Sequence, residues 1–262
     1  MLHKQLFTCY YKPYDSIART GFVKHKKIPK YAFTLAEVLI TLAIIGVLAV
    51  ITIPTLLQNI DNKQNKTAWK KTFADLSQAS MQILQENSGS FKEVFSDKID
   101  TYASENVKDA FASKLNVIKN CSGPVPLYNG NGNGASKDGC WHMGVGSVRY
   151  LNGENQLTES DDTEDSPGLV LSNGSLIRFY IEKSDCSAKI GNVYKCGVIA
   201  VDVNGFKKPN TIGKDIFFAY ITETSIVPLG FNESYNIATD CVENSTASYN
   251  KGYACSLKYL LE

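Results

Sequence analysis

A single carboxylate, Glu37, stands at the start of the most apolar stretch of the chain, "AFTLAEVLITLAIIGVLAVITIP". No residue between Val38 and Ile53 carries a charge, and apolar residues continue to Leu57. A segment of about twenty such residues, roughly 30 Å long as a helix, can cross a bilayer. An ionisable group in it costs about 3 kcal/mol on insertion scales and indicates a functional site. The alternative is that Glu37 lies close enough to the headgroups to reach water.

The flank before this segment is strongly basic. Residues 1–32 contain seven Lys or Arg and one Asp, a net charge of +6, which leaves −5 for the rest of a chain whose total is +1. The positive-inside bias predicts that this flank stays in the cytoplasm and that everything after Leu57 crosses the membrane. A secretory signal peptide is the alternative, but its apolar region is shorter and ends at a small-residue cleavage site, whereas here the helical pattern continues.

The stretch resembles the processing and assembly signal of type IV prepilins and type II secretion pseudopilins. In that family a membrane aspartic peptidase cuts a basic leader just before a Phe, and the new amino terminus is N-methylated. The resemblance places the cut between Ala32 and Phe33, makes Phe33 the methylated residue, and assigns Glu37 and Pro54 to assembly. The family usually has Gly before the cut, where this chain has Ala32.

The resemblance also implies an architecture, a location and a set of partners. We expect a pilin-like α+β fold in which a long N-terminal helix packs on an antiparallel sheet. The leader spans 1–32, the membrane half of the helix 33–57, the amphipathic half 58–88 and the head 89–262. The implied partners are the prepilin peptidase and methylase, other pilin or pseudopilin subunits, the bacterial inner membrane and the filament assembly platform. No cofactor is required for this role.

The helix is predicted to continue beyond the span. Pro54 lacks an N–H and clashes with the preceding turn, so it kinks a helix or ends it, and the resumed periodicity favours the kink. Apolar residues then recur at helical spacing and predict a face packed on the head. They are Trp69, Phe73, Leu76, Ala79, Ile83 and Leu84.

The head combines a helix with several strands. The segment "SENVKDAFASKLNVIKNC" predicts an amphipathic helix with Ser104 as its N-cap and with Phe111 and Ile118 on one side. Two apolar runs flank Asn173-Gly174, a pair that tolerates the positive φ angles of a tight hairpin turn. "CGVIAVDVNG" and "DIFFAYIT" supply two further strands, so we expect an antiparallel sheet of about four strands.

The cysteines predict disulfides. Cys9 would leave with the leader, and an even number of cysteines in an exported head is typical of a disulfide framework. We expect the sequential pairing, in which each bond closes a short loop with Gly or Asn: Cys121–Cys140, Cys186–Cys196 and Cys241–Cys255. A zinc site is the alternative, but there is no C-x-x-C pair and only one histidine, His142, follows the leader.

One loop could hold calcium. "DVNGFKKPNTIGKD" offers Asp202, Asn204 and Asp215 as hard oxygen ligands, together with backbone carbonyls. It is not an EF-hand loop, because Gly205 follows Asn204 too early. The other interpretation is an ordinary Asn-Gly turn in which Asp215 lies at a strand edge. Some members of the resembled family hold calcium between C-terminal strands.

The sequence favours a structural role over catalysis. No G-x-S-x-G nucleophile motif is present, and no basic stripe with interleaved aromatics indicates nucleic-acid binding. We therefore expect a filament subunit that is not an enzyme. A minor, tip-located subunit that binds a ligand, a surface or DNA is the first alternative. A membrane-tethered binding domain or enzyme is the second.

Overall fold

The computed structural model describes residues 33–95, 100–122, 140–141, 148–154, 167–231 and 236–262. Ala32 and the rest of the predicted leader, as well as His142, lie outside these residues. The chain divides into two compact units, Met1–Ile51 and Thr52–Glu262.

The described residues of the first unit are helical from Leu35 onward, and their side chains are exposed except for that of Ala49, which is half-buried. Helix α1 begins at Leu35 and ends at Glu86, so it continues into the second unit. Its first twenty residues, Leu35–Pro54, form the one helical segment in the described part of the chain that is long and apolar enough to cross a membrane. No residue of that apolar window is buried by the protein itself.

Pro54 lies inside α1 rather than at its end. Proline has no N–H to donate to the carbonyl one turn earlier, so the helix loses one internal hydrogen bond at this point. The helix nevertheless continues for 32 more residues, to Glu86. Of the two roles that the sequence left open for Pro54, that of a helix terminator is therefore wrong.

In the second unit one face of α1 forms part of the core. The predicted stripe is buried except for Phe73, which is half-buried, while Lys70, Gln78 and Gln82 are exposed. Trp69 stacks on Phe217 with ring centroids 5.0 Å apart and contacts Phe73 at 5.3 Å. The helical spacing of these apolar residues therefore predicted the packed face correctly.

The head is built on a six-stranded antiparallel sheet with the strand order β1-β2-β3-β6-β7-β8. A separate pair, β4 and β5, forms a two-stranded hairpin. The α+β architecture expected from the sequence is confirmed. The strands are β1 Val117–Cys121, β2 Gly168–Leu171, β3 Leu176–Ile181, β4 Ala188–Ile190, β5 Val193–Lys195, β6 Gly197–Asp202, β7 Ile216–Ile221 and β8 Ile226–Pro228.

The four strands predicted from the sequence are β2, β3, β6 and β7, which form the centre of the sheet. The turn between β2 and β3 is the predicted Asn173-Gly174 pair. Gly174 has a φ of +87°, which glycine adopts without steric cost, and the Asn173 side chain accepts a hydrogen bond from the Ser175 N–H at 3.0 Å. Strands β3 and β6 pair without a register shift, from Leu176 opposite Asp202 to Ile181 opposite Gly197.

Four helices complete the head: α2 Lys92–Phe95, α3 Asp100–Ala112, α4 Ile237–Asp240 and α5 Cys255–Leu261. The prediction for α3 was wrong in two respects. Ser104 lies inside the helix, where its hydroxyl accepts a hydrogen bond from the Ile181 N–H at 2.9 Å, so it joins the helix to the end of β3. Ile118 belongs to the edge strand β1 and is 69% exposed.

Three disulfides staple the described head, and they follow the sequential pairing: Cys121–Cys140, Cys186–Cys196 and Cys241–Cys255. The second bond closes the segment that contains the β4–β5 hairpin. The third closes a loop that is also held by Asp240, whose buried carboxylate accepts N–H bonds from Lys251, Gly252 and Ala254.

Trp69 joins α1 to the C-terminal helix. Its indole N–H donates to the buried carbonyl of Ser256 at 2.8 Å, and the Ser256 hydroxyl accepts a hydrogen bond from the Phe218 N–H at 2.9 Å. This chain of contacts connects α1, α5 and β7. It therefore fixes the position of α1 against the sheet in the second unit.

We predict that Trp69→Phe lowers the free energy of unfolding of the head by about 2 kcal/mol. The Ser256 carbonyl then stays buried without its donor, and the ring loses part of its contact with Phe217. Urea unfolding followed by circular dichroism measures the change. Lys70→Ala, at the exposed neighbouring position, is the control and should shift the stability by less than about 0.5 kcal/mol. Equal stabilities for the two variants would contradict this role of Trp69.

Candidate functional site

Thr34 and Glu37 form a closed hydrogen-bonded pair at the start of α1. The Glu37 Oε2 atom accepts hydrogen bonds from the Thr34 N–H and from the Thr34 hydroxyl, both at 2.8 Å. In return, the Thr34 Oγ1 atom accepts from the Glu37 N–H at 3.2 Å. This is a capping box, in which two side chains satisfy N–H groups that the first turn of a helix leaves without partners.

The capping box was missed in the sequence, although its signal is present. Thr-x-x-Glu before an apolar run is the pattern of such an N-terminus, and residues 34–37 read Thr-Leu-Ala-Glu. The pair fixes where α1 begins and points the Glu37 carboxylate toward the helix N-terminus. That end carries partial positive charge, so a carboxylate is favourable there even without a partner from another chain.

Only one oxygen of Glu37 is used by these contacts. The two hydrogen bonds from Thr34 both end on Oε2, and among the described residues no donor reaches Oε1. Phe33, the residue next to this pair, is 85% exposed. The start of α1 therefore presents a positioned carboxylate with one free oxygen beside the residue expected to become the amino terminus.

The helix surface that follows is apolar on all sides. Leu39, Ile40 and Ile45 are 58%, 60% and 62% exposed, and the turn of about 100° per residue places them on three different sides of the helix. Exposed apolar surface of this extent is not stable in water and indicates contact with lipid or with other helices. The described chain supplies no cover for it.

Residues 29–53 match the family described as the prokaryotic N-terminal methylation motif. This chain carries the signal of type IV pilins and pseudopilins. The methylation motif covers about a tenth of the chain and includes Ala32, Phe33 and Glu37, while Pro54 follows its last residue. No curated protein and no solved structure is significantly similar to the chain. The family resemblance seen in the sequence is confirmed by the methylation motif.

The three residues proposed as calcium ligands come together at the base of one loop, which we call the lysine loop, residues 203–215 between β6 and β7. Asp202 and Asp215 are fully buried. Asp215 accepts hydrogen bonds from the Asn204 side-chain amide at 3.0 Å, from the Asn210 N–H at 2.8 Å and from the Thr211 N–H at 2.6 Å. Asp202 accepts from the Asn204 N–H at 3.1 Å.

The two carboxylates are electrostatically unfavourable together. Burial and the neighbouring charge of Asp202 raise the pKa of Asp215 to about 6, against the hydrogen bonds that lower it. The Oδ1 atom of Asn204 is also buried and has no hydrogen-bond partner in the part of the chain that is described. Two carboxylates and a free amide oxygen fit the ligand preference of a hard cation. Among the described residues no cluster of three or more His, Cys, Asp or Glu occurs, so further ligands would have to be amide or carbonyl oxygens.

We predict that Thr34→Ala loosens the first turn of α1 without affecting the rest of the helix. Loss of an N-cap costs about 1 kcal/mol, which corresponds to roughly fivefold faster amide exchange. Hydrogen exchange of the full chain in detergent, read at residues 35–38, measures the effect. Thr41→Ala, which removes only a hydroxyl bonded to the Val38 carbonyl inside the helix, is the control. Unchanged exchange in Thr34→Ala would contradict the capping role.

Proposed function

We propose that the chain is the precursor of a filament subunit of the type IV pilus or type II secretion class. In this proposal the prepilin peptidase cuts between Ala32 and Phe33 and methylates the new amine of Phe33. The observation that carries the proposal is the coincidence of the methylation motif with the capped start of an unburied apolar helix. The methylation motif indicates a structural subunit rather than an enzyme.

Assembly would follow from the charges at the start of α1. Cutting before Phe33 creates a cationic amine four residues from Glu37. When spans of several subunits lie side by side, the free Oε1 of Glu37 can accept from the amine of a neighbour. A charge pair in a low-dielectric setting is stabilising only in good geometry, whereas an unpaired charge there is strongly unfavourable. Correct vertical register between subunits is therefore favoured.

The topology of the proposed subunit places the head outside the cytoplasm. The net charge of +6 before the span keeps that flank in the cytoplasm. Three disulfides in the described head support the same orientation, because such bonds persist in oxidising compartments. The subunit would reside in the inner membrane, bind the assembly platform and then be incorporated among the other subunits of the filament.

We predict that Glu37→Gln and Glu37→Ala are cut and methylated but do not enter filaments. The glutamine variant separates two roles of Glu37, because it keeps an oxygen that can accept from Thr34 and loses only the charge. Thr34→Ala makes the opposite change, because it removes the capping hydroxyl and keeps the charge of Glu37. We expect this variant to assemble. Recovery of each variant in sheared filaments, compared with its amount in membranes, is the measurement. Normal incorporation of Glu37→Gln would show that capping, and not charge pairing, is what assembly needs.

We further propose that the base of the lysine loop holds one calcium ion. Asp202, Asp215 and Asn204 would be its side-chain ligands, and the ion would neutralise the two buried carboxylates. The proposal rests on the repulsion between these carboxylates and on the unpartnered Oδ1 atom of Asn204. It concerns the stability of the head and is independent of filament assembly.

We predict that calcium added to the chelator-treated full chain releases or absorbs measurable heat and raises the melting temperature. Asp202→Asn should abolish both effects, since it removes one charged ligand. Asp185→Asn changes an exposed carboxylate outside the lysine loop and should leave both effects unchanged. Isothermal calorimetry and thermal melting are the measurements. The absence of binding heat with the parent chain would contradict the proposed calcium site.

A further inference from the structure

The lysine loop presents a basic surface of lysines without ion pairs. Lys207, Lys208 and Lys214 are exposed, and none of them forms an ion pair with a carboxylate in the part of the chain that is described. Lys66 differs, because its ammonium contacts Glu262 at 3.1 Å, Glu243 at 3.8 Å and the ring of Tyr259. The three loop lysines are thus free to bind an anion, whereas Lys66 is not.

An exposed aromatic ring precedes the first two lysines. Phe206 is 57% exposed, although a ring of its size is usually buried in a soluble head. The loop that carries it is anchored at its base by Asp215 and closed by the hydrogen bond from the Val203 N–H to the Asp215 carbonyl at 2.9 Å. Phe206-Lys207-Lys208 is therefore an exposed tip on a fixed base. An apolar ring beside cationic side chains is the composition of surfaces that lie on a bilayer interface.

The lysine loop lies beside α1 in the second unit. A polar cleft of about 550 Å³ has Lys207, Lys208, Lys214 and Glu243 in its lining, together with residues of α1: Asp61, Asn62, Gln64, Asn65 and Lys66. Asp61 follows Pro54, the last residue of the apolar span, by seven residues. At 1.5 Å per residue this is roughly 10 Å, a few ångströms more than the headgroup layer of about 5–8 Å on each side of the bilayer.

The β4–β5 hairpin lies at the end of the sheet opposite the lysine loop. Strand β6 ends at Asp202, where the lysine loop begins, and starts at Gly197, opposite Ile221. That starting end lies near Phe91, beyond the end of α1, because the Phe91 N–H donates to the Glu223 carbonyl at 2.8 Å. The exposed Tyr194 of the β4–β5 hairpin belongs to this end, since the neighbouring Cys196 N–H donates to the Ile221 carbonyl at 2.7 Å.

We propose that the lysine loop docks on the bilayer that holds the span, with Lys207, Lys208 and Lys214 on the phosphates of anionic phospholipids and Phe206 in the interface. This rests on the proposed membrane insertion of α1 and not on filament assembly. Each lysine near an anionic surface contributes about a fivefold preference for it. The docked loop holds the head against the membrane, and the contact must break when the subunit is extracted into a filament.

A tryptophan reporter tests the docking directly. Phe206→Trp in the full chain is placed in nanodiscs of phosphatidylglycerol with brominated acyl chains, which quench nearby indoles, and the signal of Trp69 and Trp141 is subtracted with the parent chain. We expect strong quenching at residue 206. Tyr194→Trp is the matched control at the far end of the head and should not be quenched. Absence of quenching at 206, or equal quenching at both positions, overturns the proposal.

The role of the lysines has a separate test. In native mass spectrometry of the full chain, bound phosphatidylglycerol should exceed bound phosphatidylcholine. Lys207→Gln with Lys208→Gln should reduce that preference by roughly thirtyfold, the loss expected for two lysines at a membrane surface. Lys183→Gln with Lys189→Gln removes two exposed lysines near Tyr194 and should leave it unchanged. Equal effects of the two double variants overturn the proposal.

Co-elution with nanodiscs reports membrane insertion independently, so a failure of docking is distinguished from a failure to insert.

Discussion

The apolar surface of α1 must be covered, and the described part of the chain covers only the portion that follows the span. Between Leu35 and Pro54 no residue of the apolar window is buried by the protein, whereas Trp69 and Leu76 on the same helix are completely buried against the head. Lipid can cover the first part in the membrane, and the spans of other subunits can cover it in a filament. Both environments are apolar, so a subunit can move between them without exposing this surface to water.

Within that apolar surface, the position of the one carboxylate is set by local chemistry. Thr34 holds the Glu37 Oε2 atom by two hydrogen bonds, and the helix N-terminus favours its negative charge. Glu37 is therefore stable in a single subunit and still offers Oε1 to a neighbour. In the sequence, Glu37 indicated either a functional site in the span or a carboxylate close to headgroup water. The capping box changes that view, because the residue has a structural task in the precursor and a second task that we propose for the filament.

Elements with strong local periodicity could be predicted from the sequence, and those defined by distant contacts could not. The stripe from Trp69 to Leu84, the Asn173-Gly174 turn and the central strands β2, β3, β6 and β7 all carry local signals, and the structure contains them. The edge strands β1 and β8 are short and half-exposed, so their pattern is weak. Ser104 resembled an N-cap, but its hydroxyl accepts from Ile181, 77 residues later, which no local pattern indicates. At the lysine loop the sequence pointed to Asp202, Asn204 and Asp215. The exposed tip formed by Phe206 and Lys207 became evident only from the exposure of these side chains and from the lack of an ion pair at Lys207 among the described residues.

The mass of the N-terminal peptide of the protein purified from membranes tests the central claim most directly. If the chain is a filament subunit precursor, the peptide begins at Phe33 and carries one methyl group on its amine, and residues 1–32 are absent. Glu37 then lies four residues from that amine, as the proposed pairing requires. A chain that retains the bond between Ala32 and Phe33 in cells with an active prepilin peptidase would contradict the account, and the span would then be only a membrane anchor.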